Sequence, residues 1–161
     1  MLVPRPGVEE WELWQFAWEG ATAYVSFADF LLERYVTRPD HRPRPEHADA
    51  YVDAFRSGRS FSLGLLAEID DPRALELAVD ALEDGSEDTR IPPLLGQIGD
   101  PQAIPALQRA YGSGTIWTMR AAALSALEAL GDPDAGLLLR DAAHSPDADL
   151  RRWATARLAG R

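Results

Sequence analysis

Nine carboxylates fall between Glu68 and Asp88 (Glu68, Asp70, Asp71, Glu76, Asp80, Glu83, Asp84, Glu87 and Asp88) against the single base Arg73. Side chains of this type at this density offer two chemistries. A pair of carboxylates held at different pKa values can run general acid–base catalysis. A field of them attracts basic partners and repels phosphate backbones. Spacing singles out no acid and base among the nine, because in a chain of net charge −10 such pairs arise by chance. The second chemistry stands, with Asp80, Glu83, Asp84 and Glu87 as docking candidates; the alternative is a solvated helix face.

Other reactive sets are missing. The three histidines, His41, His47 and His144, lack metal-ligand spacing, and His144-Ser145-Pro146 reads as a turn without a nucleophile elbow. Gly112-Ser113-Gly114 is a helix–helix turn that lacks the strand and the lysine of a phosphate cradle. No cysteine is present, which excludes disulfides and thiolate metal sites and permits a reducing compartment. The expectation is a chain that is not an enzyme, with no catalytic residues, metal or cofactor.

At 161 residues the chain makes one domain, or one plus a short extension. All 16 basic residues are arginine, which reads as a GC-rich bacterial genome. No run of about 18 apolar residues occurs and the N-terminus lacks a basic-then-apolar order, so a soluble, cytoplasmic protein without membrane partners is expected.

The elements that position these residues repeat. Ile69-Asp70-Asp71-Pro72-Arg73-Ala74-Leu75, Ile98-Gly99-Asp100-Pro101-Gln102-Ala103-Ile104 and Leu130-Gly131-Asp132-Pro133-Asp134-Ala135-Gly136 are nearly one phrase, with prolines 29 and then 32 residues apart. A turn signal and two apolar helical stretches at a period of about 30 mark a helical solenoid. In each phrase the Asp can accept from amides at a helix start while Pro occupies the first turn, and Gly99 and Gly131 fit the left-handed stop of the helix before. The helices then come in pairs: 46–56 with 60–69, 71–82 with 89–98, 101–111 with 115–130, and 133–143 with 147–159. Pro92 and Pro93 force one helix to start close to Ile91 and to be short or kinked.

Upstream, Trp11, Trp14 and Trp18 fall at i, i+3 and i+7, and Tyr24, Phe27, Phe30 and Leu31 keep helical spacing after a break at Gly20. The expected division is an N-terminal helical cap over 1–37, a Pro/Arg-rich linker over 38–47, and a solenoid over 48–161. The Trp stripe is read as a lid on the first repeat, with an exposed aromatic anchor as the alternative.

The segment Leu95-Gly96-Gln97-Ile98-Gly99-Asp100-Pro101-Gln102-Ala103-Ile104-Pro105-Ala106-Leu107 resembles the HEAT-like repeat first associated with phycobilisome lyases. The stretches 119–133 and 150–158 resemble that family's second helix, an apolar residue and Arg followed by small residues. The resemblance covers about residues 58–161. It implies an all-α fold, a right-handed α-solenoid of about four helix pairs with the aromatic helical cap at its N-terminus. It also implies hydrogen-bonded links between Asp71, Asp100 and Asp132 and the arginines Arg120 and Arg151. Second helices would line a concave binding side, bearing Trp117, Arg120, Ser125 and Glu128 from one pair and Arg151, Arg152, Trp153 and Arg157 from the last. Trp and Arg are common anchors at interfaces, although Trp117 and Trp153 can equally fill the space between units.

The function expected is a protein–protein interaction module, or scaffold, that docks a basic partner through the concave face and the acidic patch. An immunity- or inhibitor-type protein that neutralises a cationic toxin or nuclease is a narrower version. The family resemblance adds a lyase or chromophore-binding reading, for which this chain supplies only aromatic residues. DNA binding would use Arg120, Arg151, Arg152 and Arg157, but the net charge opposes it. The last helix ends without a polar capping unit, which leaves that end open to weak self-association.

Overall fold

The structure, a computed structural model, describes residues 43–160 in full and the backbone of three strands upstream. Two compact units divide at Asp71 and Pro72. The strands are β1 (Leu2–Val3), β2 (Trp14–Trp18) and β3 (Ala21–Val25), and they form one antiparallel sheet in the order β1-β2-β3. Leu2 pairs with Phe16, and β2 pairs with β3 from Trp14↔Val25 to Trp18↔Ala21.

This corrects the helical cap expected over 1–37: where it is described, the segment is extended. Trp14, Phe16 and Trp18 repeat every second residue, while Trp14 and Trp18 also fit a helical stripe, and aromatic residues favour strands. Only Glu19 and Gly20 stand between the paired residues Trp18 and Ala21, a connection length that suits a hairpin. Trp11, Phe27, Phe30, Leu31 and most of the expected linker lie outside the described residues.

From Pro45 on, every regular element is helical. A 3-10 turn at Pro45–His47 leads into α1 (Ala48–Arg56) and then α2 (Ser62–Glu68), which pack on each other. Their core is Tyr51, Val52, Leu63, Leu65 and Leu66. The backbone N–H of Arg44 donates to the Tyr51 hydroxyl at 3.3 Å, which ties the residue before the 3-10 turn to α1.

The second unit holds α3 (Arg73–Glu83), α4 (Ile91–Ile98), α5 (Ile104–Ser113, after a 3-10 turn at Pro101–Ala103), α6 (Trp117–Ala129), α7 (Ala135–Ala142) and α8 (Ala148–Ala159). The antiparallel pairs are α3–α4, α5–α6 and α7–α8. Same-order helices also touch, α3 with α5 and α4 with α6 with α8. This is solenoid stacking, with α3 and α5 in one layer and α4, α6 and α8 in the other.

The turn chemistry follows from the repeated phrase. Asp100 Oδ1 accepts from the Gln102 N–H at 2.9 Å and Asp132 Oδ1 from the Asp134 N–H at 3.3 Å. Gly99 and Gly131 take φ 77° and 72°, the left-handed stop that only glycine adopts at little cost. At the matching place in the first phrase stands Asp70, at φ 56°. In the first phrase the proline itself, Pro72, occupies the N-cap position of α3. α4 starts at Ile91 and runs only eight residues, its first turn holding Pro92 and Pro93. A Cβ on Gly96 would lie 3.4 Å from the Ala126 Cα, so this glycine lets α4 and α6 approach closely. α6 touches α4, α5, α7 and α8, which is why Met119, Ala121, Ala123, Leu124, Ala126 and Leu127 are buried around most of its girth.

Candidate functional site

The expected site residues fall on two different layers of the second unit. On the first-helix layer, α3 buries Ala74, Ala78 and Leu82 and turns Glu76, Asp80, Glu83 and Asp84 outward. Glu76, Asp80 and Asp84 are spaced one helical turn apart, about 6 Å between neighbours. All three are exposed and make no ion pair among the described residues.

Glu83 and Glu87 do something else. Glu83 accepts from Arg109 on α5 at 2.9 Å, and Glu87 accepts from both the N–H and the hydroxyl of Thr115, at 2.7 and 3.0 Å. Half of the predicted acidic patch therefore joins neighbouring pairs. Both partners of the Glu83–Arg109 bridge are about half exposed, so it is worth about 0–1 kcal/mol.

Beside the acid row runs a groove lined by Leu75, Glu76, Val79 and Asp80 of α3 and by Gln102 of the following 3-10 turn. Leu75 and Val79 form its half-buried apolar floor. Neither these two nor Gln102 stood out in the sequence. The signal was there in the phase: the aliphatic pair and the acids Glu76 and Asp80 share the four-residue spacing, shifted by one position.

On the second-helix layer, α6 carries Trp117, Arg120, Ser125 and Glu128, all half-buried, and α8 carries Arg151 and Arg152, exposed, with half-buried Trp153. Arg120 does not bind the repeat-phrase aspartates. Its Nε donates to the Tyr111 carbonyl at 3.1 Å and its guanidinium lies 5.0 Å from the Tyr111 ring centre. Arg151 likewise donates to the Ser145 and Pro146 carbonyls. The reason is local: each arginine starts a second helix beside the end of the preceding first helix, where carbonyls lack intrahelical partners. Asp132 is tied to the preceding pair by Gln108 instead, whose Nε2 donates to Asp132 Oδ2 at 3.1 Å. Arg157 donates to Glu128 Oε2 and stacks 5.5 Å from the Trp153 ring centre, fixing α8 to α6.

α8 is the last described helix, and its exposed residues Ala148, Asp149, Arg151, Arg152, Thr155, Ala156, Arg157 and Ala159 are polar or small. Arg152 pairs with Asp149 at 3.3 Å on the same helix. The large apolar side chains exposed among the described residues are Ile116 and Leu137, neither of them on α8.

The stacked pairs, the glycine stops and the capping aspartates describe one kind of repeat, and a family model of HEAT repeats matches residues 94–159. This segment is similar to a HEAT-repeat array. Arrays of the family generally mediate protein–protein interaction, and the match is to HEAT repeats in general, without the phycobilisome-lyase subtype. No curated protein and no solved structure matches the chain. Within the HEAT segment lie all the second-helix candidates, Trp117 to Arg157, whereas the acid row of α3 precedes it. Among the described residues no cluster of three or more His, Asp or Glu could hold a metal, and no helix is long and apolar enough to cross a membrane.

Proposed function

We propose that the chain is a non-enzymatic protein-binding module whose grip on a basic protein partner comes from the acidic face of α3. The second-helix surface around Trp117, Trp153, Arg151 and Arg152 is the second contact face, on the side that the family geometry makes concave. A reducing, cytoplasmic setting suits a chain without cysteine.

The observation that carries this reading is the state of Glu76, Asp80 and Asp84, three exposed carboxylates in one row without a partner among the described residues. Asp84 is the most telling. It sits at the C-cap of α3, where a negative charge opposes the helix dipole by about 0.3–1 kcal/mol. An acid that works against its own helix fits a surface selected for what it binds. Glu83, in the same last turn, has Arg109 to offset the charge.

The test is a pull-down from a lysate of the source cell at low and high salt, with wild type beside the triple variant E76Q/D80N/D84N. Basic proteins held by wild type at low salt, released at high salt and not recovered by the variant are expected. The variant should melt no lower than wild type, since the changes remove repulsion. Recovery that ignores both salt and the three substitutions overturns the proposal.

A further inference from the structure

We infer that the groove beside the acid row takes an amphipathic basic helix, one with an aliphatic row and an arginine or lysine row side by side. The inference rests on the function proposed above and adds the form of the ligand. On α3, Leu75 and Val79 make one row and Glu76 and Asp80 the next, each pair four residues apart and the two rows offset by one position. The groove therefore has an apolar lane and an acidic lane running together along one helix, closed at the far side by Gln102. The charge it asks for is positive, because Glu76 and Asp80 are exposed and make no ion pair among the described residues.

An extended partner fits these lanes poorly. In a strand successive side chains point to opposite faces, so an aliphatic residue next to a basic one would turn away from the groove. In a helix, residues three and four apart share a face, so leucines at i and i+4 stand beside arginines at i+1 and i+5 and both rows reach the same surface. This is helix-in-groove recognition, in which the apolar row supplies affinity and the charged row sets register. Gln102 carries a donor and an acceptor and accepts either polar end of such a side chain. Asp84 continues the acid row beyond the groove, so a longer ligand gains a third basic contact one turn on.

The experiment uses the full chain and three labelled synthetic peptides of equal charge, read by fluorescence anisotropy. The first carries leucines four apart beside arginines one position over; the second has both leucines replaced by serine; the third has the same composition in scrambled order. The first peptide is expected to bind about tenfold or more tighter than the other two, and D80N is expected to weaken it more than the others. Because Val79 is half-buried and V79S would change packing as well as the groove, the floor is followed in wild type by methyl NMR, where the Leu75 and Val79 signals should shift on adding the first peptide. Equal binding of all three peptides, or unmoved Leu75 and Val79 methyls, overturns the groove inference while the charge-based function stands. Absence of binding by every peptide at low salt removes both.

Discussion

Asp70 occupies a backbone conformation that the other two copies of its phrase give to glycine. Its φ of 56° matches the 77° of Gly99 and the 72° of Gly131. Aspartate tolerates this region better than most residues, but its Cβ still meets the neighbouring carbonyl. Asp70→Gly should therefore stabilise the chain by about 0.5–1 kcal/mol, read as a higher denaturant midpoint at unchanged slope. A loss of stability would show that the aspartate side chain contributes more than the strain it bears. At this scale the sequence was legible wherever a residue acts on its own backbone. The caps at Asp100 and Asp132 and the stops at Gly99 and Gly131 follow from local geometry alone. Arg120 and Arg151 were not legible, since a long side chain has several carbonyls and carboxylates in reach and only the packing decides among them.

Tyr111 shows how one side chain holds three helices. From α5 its hydroxyl donates to the Leu138 carbonyl on α7 at 3.2 Å, and its ring and carbonyl receive Arg120 of α6. Burial pushes its pKa above the usual tyrosine value, with Arg120 pulling the other way and Asp141 adding to the rise. A raised folded-state pKa means that the unfolded chain gives up its proton first, so stability is full below about pH 10 and falls as pH climbs beyond it. Alkaline titration of unfolding should show this loss, and Tyr111→Phe should reduce it while weakening the protein at neutral pH by about 0.5–1.5 kcal/mol for the lost hydrogen bond. An unchanged alkaline profile in the variant would move the effect to Tyr51, whose pKa is also raised, by burial first. Helix positions from Pro45 on were readable because caps, prolines and apolar spacing agree there. The N-terminal strands were not. Trp14 and Trp18 satisfy a period of four and, through Phe16, a period of two, so spacing alone cannot choose between helix and strand.

At the scale of the whole second unit, protection should follow layer position. α6 is covered by four other helices and buries six side chains, whereas α8 buries only Leu150 and Ala154. Hydrogen exchange read by mass spectrometry should find α8 amides exchanging before those of α6, because fewer buried side chains hold α8 in place. Equal protection in α8 would mean that something covers its outer face. The stacked architecture was legible from the repeated phrase. The separation of the acid row from the Trp and Arg candidates was not, because a repeat gives the order of helices and leaves each layer's surface to be read from which carboxylates already have partners.

The ties between neighbouring pairs share a length. Glu83 to Arg109 spans 26 residues, Glu87 to Thr115 28, Gln108 to Asp132 24 and Glu128 to Arg157 29. Donor and acceptor are thus written into the gene close to one period apart. Duplicating or excising a whole period keeps the helix layers in phase, while an insertion of half that size throws the seam out of phase. Growth of such a chain is quantised: it lengthens by complete units or loses its stitching.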